Sequence, residues 1–223
     1  MKHVAVVVEG QTEEVFLNDV VQGSLGDEVW VQPIIVRTGQ SASGRPHKGG
    51  GGWKHYVQML TTLCRQPHWD LITTLIDYYG LPGDAPACSC APSHLSSPDC
   101  ADARQAGIAD EIGDPRLRPF IAVHEFEAIV IAAAAASPHV LGSERVAREF
   151  QALLRQYDGN AEAINDGVNT APSKRVAAVI DGYAKTRDNV PIIREAGLEA
   201  ALAHCPRFAG WISELQELGR SGD

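Results

Sequence analysis

The amino-acid sequence predicts an α/β protein with a mostly parallel sheet flanked by helices and followed by a helical C-terminal extension. Residues 2–8 contain four valines and an alanine without polar alternation, which is typical of a buried parallel strand. Strand-like and helix-like segments alternate along the first half, and this β-α-β-α-β order favours right-handed parallel crossovers. From Glu125 on, the periodicity is mostly helical.

The first strand leads through a turn at Gly10 into a predicted helix over 13–21, with Thr12 as its N-cap. The same periodicities predict further strands over 29–36, 69–76 and 119–123, and further helices over 53–64, 98–112, 144–157, 173–183, 192–204 and 208–218. We therefore expect an α/β domain, 1–135, and a helical extension packed on it, 136–223.

Composition narrows the class of protein. The richest apolar run, 128–136, is roughly half of what a bilayer span needs. The acid Glu9 directly follows the short apolar run at the N-terminus, which argues against a signal peptide. Five cysteines, an odd number, favour reduced thiols. We expect a cytoplasmic protein that contacts no membrane.

The formal net charge of −9 disfavours a large nonspecific face for nucleic acid. It does not exclude a metal-dependent nuclease, because a bound divalent ion inverts the local field. A protein partner is expected to supply part of the grip on such a substrate.

Acidic residues follow the predicted strands at the edge where parallel sheets bind ligands. Glu9 ends the first strand, Asp77 ends the third, and Glu125 and Glu127 follow the fourth, while Glu13 lies one helical turn after Glu9. Carboxylates from distant segments at one edge are what Mg²⁺ or Mn²⁺ requires. The alternative is that these acids cap helices or lie in solvated turns, and Glu13 suits a first helical turn on dipole grounds alone.

Two motifs carry a resemblance to a known class of domain. Residues 6–13, Val-Val-Val-Glu-Gly-Gln-Thr-Glu, resemble the opening motif of Toprim domains, especially those of OLD-family nucleases. Residues 75–80, Leu-Ile-Asp-Tyr-Tyr-Gly, stand where Toprim domains carry Asp-x-Asp. The fold implied by the resemblance is Toprim-like, a Rossmann-like arrangement.

The chain is also similar over most of its length to a bacterial family of this type. Members are often encoded beside an AAA-type ATPase and are suspected of anti-phage roles. The segments that carry this similarity are 77–82, 124–128, 171–175 and 205–208 with Trp211.

The resemblance implies a metal-dependent phosphodiesterase that cuts DNA or RNA with an ATPase partner. Glu9, Glu13 and Asp77 would be catalytic metal ligands, in a site where the metal activates water. Tyr79 departs from the pattern, since the second Asp is expected there. We expect an acid from Glu125 or Glu127 to replace it; in the alternatives, the site binds one metal weakly or catalysis is lost.

The resemblance also implies a downstream catalytic lysine, for which Lys174 is the candidate, because a cation near the scissile phosphate stabilises developing charge. In the alternative, Ser173 caps a helix and Lys174 is solvated. A different class of function is also open, in which the protein is a non-catalytic effector or regulator that docks on an ATPase.

A Cys-x-Cys-x3-His-x5-Cys cluster forms a second candidate site, made of Cys88, Cys90, His94 and Cys100. Four such ligands would make a closed structural Zn²⁺ site, although zinc cysteines are normally at least two residues apart. The alternative is a polar loop with reduced thiols.

Overall fold

The valine-rich β1 (Lys2–Val8) is the centre of a parallel sheet in the computed structural model, which describes residues 1–36, 52–86, 98–165 and 170–220. On one side it pairs with β2 (Val29–Ile35) and on the other with β3 (Leu71–Asp77). Two short strands, β4 (Leu117–Arg118) and β5 (Ile121–Ala122), pair with successive parts of β3. Every pairing among these strands is parallel, so the predicted fold class is confirmed.

The sheet is covered on both faces, which explains the lack of alternation in β1. Val4, Val6 and Val8 belong to one hydrophobic cluster, whereas Ala5 and Val7 belong to a second. All five side chains have no exposed surface. A strand buried on both faces favours β-branched apolar residues at every position.

Ten α-helices surround the sheet within the described ranges. They are α1 (Gln11–Phe16), α2 (Gln22–Ser24), α3 (Lys54–Cys64), α4 (Pro98–Ile112), α5 (Glu127–Ala136), α6 (Glu144–Arg155), α7 (Pro172–Val179), α8 (Lys185–Ala196), α9 (Leu198–Leu202) and α10 (Pro206–Arg220). A π-helical segment, Leu17–Val21, joins α1 to α2. None of the described helices has both the length and the apolar character needed to cross a bilayer.

Several predicted helices have different bounds in the structure, and two of these differences bear on the site. The helix predicted over 192–204 is divided between α8 and α9, because Gly197 adopts a φ of 88° that a right-handed helix does not allow. The helix predicted over 173–183 ends with α7 at Val179. Because α7 ends there, Tyr183 and Lys185 lie beside the carboxyl edge of the sheet, as described below.

The apolar helix α5 lies at the centre of the helical layer. All of its residues except Ala136 are buried, and it packs against α6, α7, α8 and α9. Its alanines allow close approach of these neighbours, since a methyl group adds little width to a helix. Residues of α6, α8 and α10 share one hydrophobic cluster with β1.

Candidate functional site

The ends of β1 and β3 bring Glu9 and Asp77 to the carboxyl edge of the sheet. The two strands are parallel neighbours, with Val8 paired to Leu75. A short 3₁₀ turn, Tyr78–Gly80, then folds back over Glu9. A Cβ atom added to Gly80 would lie 2.2 Å from Oε1 of Glu9, so the backbone of this turn is in close contact with the carboxylate.

The surroundings of Glu9 disfavour the ionised form of its carboxyl group. Burial and the nearby charge of Glu13 raise its pKa from 4.5 to about 7. The hydroxyl of Tyr56, 3.4 Å from Oε1, and the charge of Lys185 act in the opposite direction. Burial likewise raises the pKa of Glu13, with a further contribution from the charge of Glu127.

Asp77 is held by the backbone of the neighbouring segment. Its Oδ1 accepts a hydrogen bond of 2.7 Å from the N–H of Phe126, which fixes the end of β3 against the start of α5. Burial raises the pKa of Asp77 well above its usual value, and the charges of Glu9, Glu127 and Glu13 raise it further. Neighbouring carboxylates thus disfavour ionisation of this cluster, with Glu13 acting on Glu9, Glu127 acting on Glu13, and all three acting on Asp77.

Lys185 supplies a positive charge to this environment. Its Nζ donates a 2.9 Å hydrogen bond to Glu127, whose side chain is 2% exposed, while the lysine side chain remains 48% exposed. Burial lowers the pKa of Lys185, but the charge of Glu127 and their hydrogen bond outweigh burial and raise it overall. Asn189 donates a second hydrogen bond of 3.0 Å to Glu127, and the hydroxyl of Tyr183 lies 3.3 Å from the same oxygen.

Sequence reasoning missed Lys185, Tyr183 and Asn189. The only signal is their spacing at the start of α8, Tyr-x-Lys-x3-Asn, which places a lysine and an asparagine one helical turn apart. Nothing in that spacing reveals that the turn meets Glu127, which lies 58 residues before Lys185.

Glu125, which precedes α5, contacts the first turn of α7, and the predicted Lys174 lies in that turn. Oε2 of Glu125 accepts a 2.8 Å hydrogen bond from the N–H of Ser173, so Glu125 satisfies a backbone donor in the first turn of α7. The Ser173 side chain makes no cap, since Ala171 is the N-cap residue. Lys174 is exposed, and the lysine charge that acts on Glu9, Glu13 and Asp77 is that of Lys185.

An aromatic pair adjoins the acids. Tyr79 is 47% exposed, and its ring centroid lies 5.8 Å from that of buried His124. Asn165 bonds the Tyr79 hydroxyl and lies 3.2 Å from Nδ1 of His124. His124 has a left-handed φ of 67°, and burial lowers its pKa to about 4, so the imidazole is neutral at pH 7.

Three members of the predicted zinc cluster, Cys88, Cys90 and His94, lie outside the described residues. Cys100 is fully buried in the first turn of α4 and is disulfide-bonded. Its sulfur is therefore not a thiolate in this structure, which differs from the reduced thiol expected from the sequence. Cys64 and Cys205 are free.

The carboxylates at the strand ends are suitable ligands for a hard divalent cation, but they do not form a preformed metal-binding site. Among the described residues, no group of three or more His, Cys, Asp or Glu side chains is arranged to hold a metal ion. Mg²⁺, however, usually keeps several waters and is bound by one or two carboxylates together with substrate phosphates. The carboxylates of the partly buried Glu9 and Asp77 meet that smaller requirement, and their raised pKa values show that a cation is needed to favour their ionised forms.

The fold and the site together define an α/β protein with a Rossmann-like, mostly parallel sheet and a partly buried acidic cluster at its carboxyl edge. Within this class, the chain belongs to the family described as Domain of unknown function (DUF4276), whose family model matches residues 8–216. The match extends from the end of β1 into α10 and so includes every residue of the acidic cluster. No curated protein and no solved structure matches the chain at a significant level.

Proposed function

We propose that this protein is a divalent-metal-dependent hydrolase of phosphodiester bonds in nucleic acid, of the Toprim type. One observation carries the proposal: Glu9, Glu13 and Asp77 come together at the carboxyl edge of the sheet, where burial raises the pKa of each and neighbouring carboxylates, Glu127 among them, raise it further. Such a set of carboxylates is stabilised by a cation and destabilised without one. The resemblance of residues 6–13 to the Toprim opening motif supports the same reading.

Each residue of the cluster has a role in this proposal. Glu9 and Asp77 would hold Mg²⁺ or Mn²⁺, with Glu13 as a further ligand directly or through water. The bound cation would supply a nucleophilic water and charge stabilisation at the phosphate. Lys185, which is half exposed beside the acids, would contact a phosphate oxygen, and Glu127 would hold its ammonium group in place.

The partner and the biological setting rest on the resemblance. We propose an AAA-type ATPase as partner and a role in anti-phage defence. The net charge of −9 agrees with a partner that contributes cationic surface for the nucleic acid.

The test is cleavage of end-labelled single-stranded and double-stranded DNA and RNA with Mn²⁺, with and without the ATPase. Wild type should cut at least one substrate, and Glu9→Gln and Asp77→Asn should each lose activity by about 100-fold or more, since a metal ligand is removed. Glu14→Gln is the matched control, because Glu14 lies on the same helix and acts on none of these acids. Circular dichroism must show all variants folded. Absence of cleavage under every condition, or full activity in Asp77→Asn, would sink the proposal.

A pair of lysine variants separates the sequence-based candidate from the structural one. Lys185→Met should lower the cleavage rate by about 100-fold, whereas Lys174→Met should change it less than about threefold, because an oriented cation at the phosphate contributes several kcal/mol to catalysis. A larger loss of cleavage in Lys174→Met than in Lys185→Met would assign the phosphate contact to Lys174.

A second candidate function is a non-catalytic effector that docks on the ATPase. Two observations favour it: Tyr79 occupies the position of the second Asp, and no metal-binding group of three or more ligands is preformed among the described residues. Stimulation of the ATPase that is unchanged by Glu9→Gln, in the absence of any cleavage, would support this candidate. Loss of nucleic-acid cleavage in a folded Glu9→Gln variant would exclude the non-catalytic effector.

A further inference from the structure

We propose that the exposed ring of Tyr79, supported by the ring of His124, forms an aromatic platform that stacks an unpaired base of a nucleic-acid strand, with the strand's phosphate at the cation that Glu9 and Asp77 are proposed to hold. The inference rests on the proposed function and specifies its substrate as one with an unpaired base. Tyr79 comes two residues after Asp77 and directly before Gly80, whose backbone touches the Glu9 carboxylate. An aromatic ring is thus fixed at the rim of the acidic cluster.

The exposure of Tyr79 is unusual among the aromatic residues of this site. Its side chain is 47% exposed, whereas the preceding Tyr78 is buried and packs under the guanidinium of Arg104. A large apolar ring at a polar rim carries a hydration cost that stacking against a base would remove.

The ring of Tyr79 is also held in one orientation. Tyr78 contacts it edge-on, with centroids 6.4 Å apart, and His124 lies behind it at an interplanar angle of 35°. Asn165 bonds the hydroxyl, and the N–H of Tyr79 donates a 3.2 Å hydrogen bond to the carbonyl of His124. A ring that is already oriented loses little entropy when a base stacks on it.

His124 adopts a costly conformation to reach this position. A φ of 67° is a left-handed conformation that non-glycine residues seldom adopt, and such residues cluster at ligand sites. The conformation directs its carbonyl to the N–H of Tyr79 and its ring to the ring of Tyr79. The buried imidazole thus supports the exposed ring of Tyr79.

A nucleobase is the ligand that this geometry fits. Bases present flat π-faces that stack on Tyr and His rings regardless of sequence. In a base-paired duplex those faces are covered by neighbouring pairs, so the platform selects single-stranded or flipped-out nucleotides. A free nucleotide and a single strand offer the same base-and-phosphate chemistry, and the experiment below distinguishes them.

The test measures binding to a labelled, hydrolysis-resistant phosphorothioate 12-mer with Mn²⁺ by fluorescence anisotropy. Tyr79→Ala should weaken binding about tenfold, which corresponds to about 1.4 kcal/mol, within the range for one stacked base. Tyr79→Phe keeps the ring and should bind within about twofold of wild type. A strand of the same length built only of abasic sugar–phosphate units should bind wild type and Tyr79→Ala equally.

A 2-aminopurine reporter at successive positions of the 12-mer gives a direct readout of stacking. Wild type should quench the reporter at one position, and Tyr79→Ala should abolish the quenching. Competition by a mononucleotide as effectively as by the 12-mer would identify a free nucleotide as the ligand instead of a strand.

Failure of the platform differs from failure of the proposed hydrolysis. Equal affinity of wild type and Tyr79→Ala for the base-containing strand overturns the platform even if the protein cleaves nucleic acid. Tyr79-dependent binding without cleavage in any metal supports the platform and counts against hydrolysis. No binding of the 12-mer by folded wild type overturns the platform.

Discussion

At the scale of single residues, the acids of the cluster lie where their ionised form is disfavoured. Glu9, Glu13 and Asp77 all have raised pKa values, with burial as the largest cause in each case. Lys185 lowers all three but is already paired with Glu127. Charges of this kind reduce stability at neutral pH, and natural proteins keep them mainly where a ligand uses them.

This cost gives a pH-dependent prediction for Glu9→Gln. The pKa of Glu9 is about 7 in the folded protein and about 4.5 when unfolded, so the folded state binds the extra proton between these values. The free energy of unfolding of wild type therefore falls as the pH rises through that window. Without metal, Glu9→Gln should be more stable than wild type by about 2–3 kcal/mol at pH 8 and equal to it at pH 4. Urea denaturation at both pH values measures the difference.

Glu14→Gln serves as the comparison for this series and should follow wild type at both pH values. A stability difference between Glu9→Gln and wild type that stays constant from pH 4 to pH 8 would show that Glu9 does not titrate in the window.

Strand periodicity identified Glu9 and Asp77 from the sequence because acids that end parallel strands share one edge whatever the loops do. Lys185 was not found because its place in the site depends on where α7 ends and α8 begins. Those bounds are set by tertiary packing on α5, which no local pattern encodes.

At the scale of elements, the turn Tyr78–Gly80 connects the sheet to the site. It carries the exposed ring of Tyr79 on one side and lets the backbone of Gly80 approach Glu9 on the other. In the sequence, this turn is marked by Tyr79 in place of the second Asp of Asp-x-Asp, a departure that predicts the loss of one metal ligand. The structure shows instead that Tyr79 lies beside His124 and Asn165.

Gly80→Ala tests the contact of this turn with Glu9. The added methyl would lie 2.2 Å from a carboxylate oxygen at the end of a flexible side chain, so Glu9 must move while the backbone stays. We predict that Mn²⁺ affinity falls by about tenfold or more while the melting temperature changes by only a few degrees.

Gly83→Ala is the matched control in the same loop, since its added Cβ meets no atom of the described residues within 4 Å. It should leave Mn²⁺ affinity unchanged. Equal affinities in both variants would mean that the position of Glu9 does not control metal binding.

At the scale of the whole molecule, α5 holds the sheet and the later helices together and starts with Glu127. Its run of five alanines is buried up to Ala135, so there is no room for larger side chains. The sequence indicated helices after Glu125 without showing that this one would be central, because an apolar run of this length suits several buried positions.

Ala132→Leu should destabilise the protein by about 1–3 kcal/mol, because three added carbons must displace helices packed on α5. Ala136→Leu, on the exposed end of the same helix, should change stability by less than about 0.5 kcal/mol. Thermal and urea unfolding of the two variants measures the contrast, and equal effects would contradict the central position of α5.

The central claim is that the acids at the carboxyl edge bind a divalent cation, and Mn²⁺ calorimetry on wild type beside Asp77→Asn tests it most directly. Because the proposed ligands all lie on this chain, the measurement can be made without the ATPase that is proposed as partner. We predict that wild type binds Mn²⁺ and that Asp77→Asn binds at least about tenfold more weakly, a loss of about 1.4 kcal/mol. Equal binding by the two folded proteins, or no binding by either, would contradict the claim.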